Sequence, residues 1–309
     1  PAAAQMNRKT IGIKVDVDTF RGMREGVPVL LDLFARHHIR ASFFVPMGKD
    51  HTGRTVKRVF RKGFLQKAGR VGVLDTYGFK TLMLGLLLPG PEIAAKNSAL
   101  LMRTKAEGHE VGIHGLDHVY WHDRIKRLSP ERTERELNDA SAVYRRIMGE
   151  DPLSFAAPGW MINGHALAFF EREGFTHTSN TRGLFPFFPR LGGRSYGVLE
   201  IPSTLPTLDE AVGRAGIDAE ALAAHFCSLL TGGLNVLTVH TELEGRKWTG
   251  FLERFIASAK ESGYCFERLG EGAGRLLADG SSIPLCPIRF GSIEGRAREV
   301  CRQEEGAVP

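Results

Sequence analysis

An α/β fold on parallel strands is what the 309-residue sequence predicts, and three observations carry it. Strand-like and helix-like segments alternate through most of the chain, as they do when crossover helices join parallel strands. Several candidate strands end in Asp or His, the edge where active sites gather in such folds. Length and composition fit one large domain or two modest ones with a sizeable core: 42% apolar, 25% charged, Gly 36 and Pro 15, which excludes disordered, collagenous and coiled-coil chains. The longest apolar stretch, Leu82 to Leu88, falls far short of the ~20 residues of a spanning helix. Four cysteines (Cys227, Cys265, Cys286, Cys301) form no Cys-x-x-Cys, so neither a disulfide frame nor a zinc ribbon is expected. No secretory leader is expected either, Met6 being a candidate start, and the expected compartment is reducing and cytosolic.

In chain order, Ile11–Val17 reads as a buried strand. Glu25–His37 reads as a helix with Val27, Leu30, Leu31, Leu33 and Phe34 on one side. Ile39–Val45 and Glu110–His114 are the next strands. A long helix then opens at Ser129-Pro130-Glu131, where Ser can accept backbone N–H bonds and Pro loses nothing at the first helical position. Ser154–Ala157, Thr176–Asn180, Val198–Ile201 and Leu234–His240 are further strands, with helices near His165–Glu173, Asp218–Leu230 and Gly250–Ser262. The pattern leaves a barrel and a doubly wound sheet both open. The expected domain runs 10–277. Residues 278–309 read as an irregular tail, polar and loosely held from Arg296 to Pro309.

One stretch breaks the alternation. Residues 54–70 carry seven cations (Arg54, Lys57, Arg58, Arg61, Lys62, Lys67, Arg70) and no acid, interleaved with Val56, Phe60, Phe64 and Leu65. The run Leu82-Met83-Leu84-Gly85-Leu86-Leu87-Leu88 follows. This insertion, about 52–92, reads as a dock for an anionic membrane surface or, more plainly, as a solvated face over the core. No nucleic-acid module is present.

The chemistry-bearing residues sit at strand ends. Asp16 and Asp18, two apart, face one side of a strand and can reach one site. His114 and His118, at i and i+4, share a helical face and can hold one divalent ion. Two His and a carboxylate leave coordination positions open for water and substrate. His240 closes a late strand at the same edge and suits a general acid. Together these suggest metal-assisted hydrolysis. His109 and His122 read as surface residues. Gly270-Glu-Gly-Ala-Gly-Arg275 lacks the last Gly of a dinucleotide fingerprint, and no phosphate loop or Gly-x-Ser-x-Gly elbow occurs.

The order of these motifs resembles the polysaccharide-deacetylase superfamily, also called NodB-like or carbohydrate esterase family 4, over about residues 10 to 270. More narrowly the chain is similar to bacterial 4-deoxy-4-formamido-arabinose phosphoundecaprenol deformylases. The resembling stretches are Asp16-Val-Asp-Thr-Phe-Arg-Gly-Met-Arg-Glu-Gly-Val-Pro, Gly112-Ile-His-Gly-Leu-Asp-His, Ala156-Ala-Pro-Gly-Trp160, Ile201-Pro-Ser-Thr-Leu-Pro-Thr-Leu-Asp-Glu210 and His240-Thr-Glu-Leu-Glu-Gly245. The resemblance implies a distorted (β/α) barrel carrying the basic, partly apolar insertion. It implies a divalent metal (Zn, Mn, Co or Ni) on Asp18, His114 and His118, with Asp16 as general base and His240 as general acid. Substrate contacts would come from Arg21, Arg182, Trp160, Glu242 and Glu244, the last two alternatively pairing with Arg182 or Arg246. Lys57, Arg58, Arg61, Lys62, Leu84, Leu86 and Leu87 would face the cytosolic side of the bacterial inner membrane. The implied substrate is an undecaprenyl-phosphate-linked formamido sugar of lipid A modification, with no nucleic acid and no obligatory protein partner.

Two positions depart from the pattern. Many members carry, where Ala156 stands, an Arg that orients the base. The deformylase branch usually has Asp at the position of Asn180. A different N-acyl-sugar deacetylase, or a non-catalytic lipid- or sugar-binding descendant, are the rival readings. The complete set Asp16, Asp18, His114, His118 and His240 argues against the second.

Overall fold

The computed structural model describes residues 8–58, 79–211, 218–279, 283–296 and 298–304. Its elements are, in order, β1 (Lys9–Asp16), α1 (Val27–Arg36), β2 (Ser42–Val45), α2 (Ser98–Ala106), β3 (Glu110–Ile113), α3 (His118–Arg124), α4 (Pro130–Met148), β4 (Ser154–Phe155), α5 (Gly164–Arg172), β5 (His177–Thr178), β6 (Phe188–Leu191), β7 (Arg194–Ser195) and β8 (Leu199–Glu200). Then follow α6 (Ala219–Ser228), β9 (Gly233–His240), α7 (Thr249–Glu261), β10 (Cys265–Phe266), α8 (Leu269–Ala278), β11 (Leu285–Gly291) and β12 (Val300–Gln303).

The main sheet is parallel throughout. It runs β1-β2-β3-β4-β5-β8, and both β9 and β10 pair β1. Past β8 the chain reaches back to β9, where Thr204 and Leu205 both donate to the Val236 carbonyl at 3.1 Å. The sheet therefore curls into the distorted (β/α) barrel.

Strand alternation sorts the core into two bodies. Ile11, Ile13, Val15 and Val17 of the first strand region pack with helical Leu30, Leu31, Phe34, Phe251 and Phe255. The opposite face gathers Phe44, Ala156, Val236 and Leu269 into a smaller inner cluster. Helix α8 covers that inner face at the strands' amino ends. A Cβ on Gly12 would lie 2.5 Å from Leu269 Cδ2, so the strand is bare there. Lys14 and Asp16 share the register of Gly12 and so point inward, towards the carboxyl ends.

The helices stop and start for local reasons. Ser129 Oγ accepts from Arg132 N at 3.4 Å to open α4, with Pro130 first inside, and Gly149 closes it in the left-handed region at φ 72°. Asn163 and Asp218 cap α5 and α6 in the same way. The first helix begins later than its apolar pattern suggests, because Gly22–Gly26 winds as a wider π-type turn before Val27.

Two expectations fail. The chain beyond Leu277 is not an irregular tail: β11 pairs β12 antiparallel and β6 parallel, and Val300 and Cys301 are buried. Arg182 N donates to Cys301 O and Gln303 N to Arg182 O, so this end is stitched to the barrel. His109 is not at the surface either. It packs against Phe34 and Phe43 and accepts the Ala41 N–H on Nδ1 at 3.0 Å. No helix among the described residues is long and apolar enough to cross a membrane.

Candidate metal-dependent hydrolase site

The loop that follows β1 is pinned from both sides. Glu242 Oε1 accepts from Thr19 N at 2.9 Å and Thr19 Oγ1 at 2.7 Å, while Asp50 Oδ2 accepts from Phe20 N at 2.8 Å. Asp18 lies inside this clamp. On β3, His114 continues the ladder by donating its N–H to Val45 O, and Gly115 at φ 79° turns the chain into α3. Asp117 caps α3 by accepting from Tyr120 N, and its other oxygen meets His51 Nδ1 at 2.6 Å. The first residue of the capped helix is His118.

Three ligand atoms converge from these elements. Asp18 Oδ1 lies 3.2 Å from His118 Nε2 and 3.5 Å from His114 Nε2, and the three ligand groups can present atoms within 4.8 Å of one another. His114 Nδ1 lies 2.8 Å from the Ala156 carbonyl, which can only accept. That bond places the proton on Nδ1 and leaves the Nε2 lone pair aimed at Asp18. A carboxylate and two such imidazoles suit one divalent ion with open positions. Burial works to raise the Asp18 carboxyl, but His118, His114 and then His240 hold it well below the usual carboxylate range. His114 is fully buried whereas His118 and Asp18 are 19% and 17% exposed, so the cluster opens on one side only.

Asp16 and His240 face each other across the β1–β9 ladder as register partners. Asp16 is buried, with Oδ2 3.0 Å from Lys14 Nζ and Oδ1 without a hydrogen-bond partner. Lys14 is wholly buried and lies over the Trp160 ring at 4.9 Å. Burial disfavours the charged His240 imidazole, yet Asp18, Asp209, Glu244 and Asp16 together raise it above its usual value. Glu244 also accepts the His240 backbone N–H at 2.9 Å. Burial pushes Glu244 and Glu242 up to about 7.

The remaining sequence-derived residues separate by what they touch. Trp160 is buried beside His240, with ring centroids 6.4 Å apart, and donates Nε1–H to Ser203 Oγ. Its backbone sits at φ 53°, an uncommon conformation for a bulky residue. Arg182 does not offer its guanidinium to a ligand: Nη1 holds Glu210, Nη2 the Leu205 carbonyl and Nε the Ser203 carbonyl. Glu242 serves the Thr19 clamp, and neither Glu242 nor Glu244 pairs with Arg182. Arg21 pairs with Glu25 at 2.8 Å. Asn180 donates N–H and Nδ2–H to the buried Glu200 carboxylate, the second a bond that an ionised Asp could not make.

In the insertion, Leu84 is buried and so is withdrawn from the membrane-facing set, because its carbonyl receives the Gly53 N–H within the fold. Leu86 and Leu87 are exposed at 42% and 70%. Lys57 and Arg58 belong to the 3-10 turn Thr52–Arg58, and Arg61 and Lys62 lie outside the described residues.

Sequence reasoning passed over Lys14, Asp209, Glu210 and Arg296. Arg296 comes from the presumed tail to sit over the Trp160 ring at 4.4 Å and pair with Glu210 at 3.0 Å. A lysine inside an apolar strand, two residues before Asp16, was a legible signal for the first.

Comparison with known proteins identifies the family. The polysaccharide deacetylase model matches residues 3–177. A Shewanella sediminis protein named "Probable 4-deoxy-4-formamido-L-arabinose-phosphoundecaprenol deformylase ArnD" is 37% identical, with 95% of this chain and 94% of that one covered. A protein of the same name from Wigglesworthia glossinidia brevipalpis is 30% identical over 92% of this chain and 99% of its own. Among solved structures, one named "probable Polysaccharide deacetylase from Pseudomonas aeruginosa PAO1" aligns with TM-score 0.60 at 16% identity, covering 89% of this chain and 93% of that one. Puue allantoinase aligns with TM-score 0.61 at 18% identity, covering 89% and 92%. Both share the fold. By family model, near-full-length relatives and barrel alike, the chain belongs to the polysaccharide deacetylase family.

Proposed function

We propose that the protein hydrolyses the formamide of an undecaprenyl-phosphate-linked 4-deoxy-4-formamido-L-arabinose, freeing formate and the 4-amino sugar for lipid A modification. The observation that carries the chemistry is the pairing of Asp16 and His240 on neighbouring strands beside the Asp18–His114–His118 cluster, with His240 close enough to Asp18 for the two charges to stabilise each other. The substrate rests on the two curated relatives, similar along nearly the whole chain and both named for this deformylation.

Asp18, His114 and His118 would hold the divalent ion, which when bound supplies Lewis-acid polarisation of the formyl oxygen and a water of lowered pKa. Asp16 Oδ1, free of protein partners, takes the proton of the attacking water as the new C–O bond forms. Lys14 fixes Asp16 by holding Oδ2, standing in for the missing Arg at Ala156. His240, whose charged form is favoured by its carboxylate neighbours, gives its proton to the sugar nitrogen as the C–N bond breaks. Trp160 walls the His240 side, and Asp209 and Glu244 support that charge.

The exposed Leu86 and Leu87 fit contact with the bilayer that holds the polyprenyl chain, at the cytosolic face. The deciding experiment offers matched formamido and acetamido sugars on a short polyprenyl phosphate. Formate from the first with little acetate from the second supports deformylation. The reverse identifies another N-acyl-sugar deacetylase.

A further inference from the structure

A groove of about 790 Å³ opens beside the catalytic residues and takes no part in the chemistry above. Its walls are one side of α3, the turn Ile125–Arg127, Arg54 and Gly85 of the insertion, and Arg298 with Glu299. Five lining side chains are cationic (Arg54, Arg124, Lys126, Arg127, Arg298), against two acids. Both acids are engaged, Asp123 with Arg298 at 2.6 Å and Glu299 with Lys126 at 3.1 Å. Arg124 and Arg127 are exposed and have no acidic partner among the described residues. A concave surface with surplus positive charge concentrates anions, and guanidinium forks match phosphate oxygens.

The groove's neighbours give the anion its identity. His122 lines it, with its ring 6.4 Å from that of the candidate ligand His118. Arg54 reaches Asp117, the residue before His118, with Nη1 at 3.6 Å and donates Nε–H to the Gly85 carbonyl at 3.2 Å, where the turn carrying Leu86, Leu87 and Leu88 begins. Those leucines are 42%, 70% and 40% exposed. The cationic groove thus borders both the candidate reacting centre and the root of the apolar turn, which suits the phosphodiester between an amide-bearing sugar and a hydrocarbon chain.

We propose that this groove is the phosphate subsite, binding the phosphodiester of the lipid-linked sugar through Arg54, Arg124 and Arg127 while the hydrocarbon leaves past Leu86–Leu88. The assignment rests on the deformylase reading for the sugar, but its test does not depend on turnover. Neryl phosphate, a short polyprenyl monophosphate, is titrated by calorimetry into the full chain. Wild type is compared with Arg124→Ala/Arg127→Ala, with Arg298→Gln as an independent groove variant and with Arg145→Ala/Arg172→Ala as a remote control. Thermal melting and metal content confirm that each variant folds.

The expected result is binding by wild type that weakens with salt, about tenfold loss in the double groove variant, a smaller loss in Arg298→Gln, and no change in the control. Equal affinity in wild type and both groove variants, or no binding by wild type, overturns the subsite. Inorganic phosphate competing as tightly as neryl phosphate overturns the lipid assignment. Binding that follows the expected pattern while wild type frees no formate from the formamido sugar upholds the groove and sinks the deformylase reading instead.

Discussion

Lys14 and Asp16 form a buried ion pair at 3.0 Å on the inward face of β1, with the lysine wholly enclosed and seated against Trp160. Alternation along one strand supplies both charges, so the cation beside Asp16 comes from β1 and not from the position of Ala156. A lone buried ammonium or carboxylate is costly, and each here makes the other tolerable.

Lys14→Met therefore leaves Asp16 buried and unpaired. The expected outcome is a loss of about 3–5 kcal/mol of stability and about a hundredfold fall in kcat, with metal content retained. Lys14→Arg, which keeps the charge, is expected to recover part of both. Denaturant melts and steady-state kinetics check this, and wild-type kcat in Lys14→Met would mean that the pair is a bystander.

His114→Ala removes the candidate ligand whose tautomer the Ala156 carbonyl fixes. Stoichiometric metal binding should disappear in elemental analysis after dialysis while the melting transition persists. Full metal retention would place the ion elsewhere.

At Gly26 a Cβ would lie 2.2 Å from the Thr241 carbonyl oxygen, a backbone atom that cannot swing aside. Gly26→Ala is expected to cost about 1–3 kcal/mol and to loosen the junction between the Asp18 loop and the His240 strand. An unchanged melt would show that the junction yields without strain.

Burial pulls the His109 imidazole down to about 4, well below its usual 6.5. The unfolded chain then binds this proton at higher pH than the folded one. Stability from this group is intact above about 6.5 and falls as pH drops towards about 4. His109→Asn, which can still accept a backbone N–H without titrating, should show a flatter stability profile in that window. Superimposable profiles would mean that other groups set the acid limit.

The parallel β/α architecture was legible in the alternation of strands and helices, while its closure into a barrel came from the family resemblance. Asp16, Asp18, His114 and His240 stand at or just past strand ends, His118 opens the helix that follows β3, and the apolar runs around them read as strands do. What escaped was decided by distant contacts. His109 sits in a polar local stretch, Glu107-Gly108-His109-Glu110, and is buried only because Phe34 and Phe43 come to it. The segment after Leu277 lacks a clean strand period, yet β6 gives β11 a partner and carries Arg296 to Trp160. Arg182 looked like a substrate ligand because nothing local shows that Glu210 and two carbonyls claim it.

Leu87 is the most exposed residue of the apolar turn at 70%. Leu87→Asp removes about 1.5–3 kcal/mol of apolar transfer and adds a charge of the wrong sign for an anionic bilayer. Co-sedimentation with anionic liposomes should fall about tenfold, and undiminished binding would move membrane contact away from this turn.

The central claim is that Asp16 activates water for deformylation at the Asp18–His114–His118 site. Its most direct test is formate release from synthetic formamido-arabinose polyprenyl phosphate by wild type and Asp16→Asn, both loaded with the same metal. The account predicts formate from wild type and a loss of about 10²–10⁴-fold in Asp16→Asn with metal content unchanged. Comparable release from both proteins would contradict it.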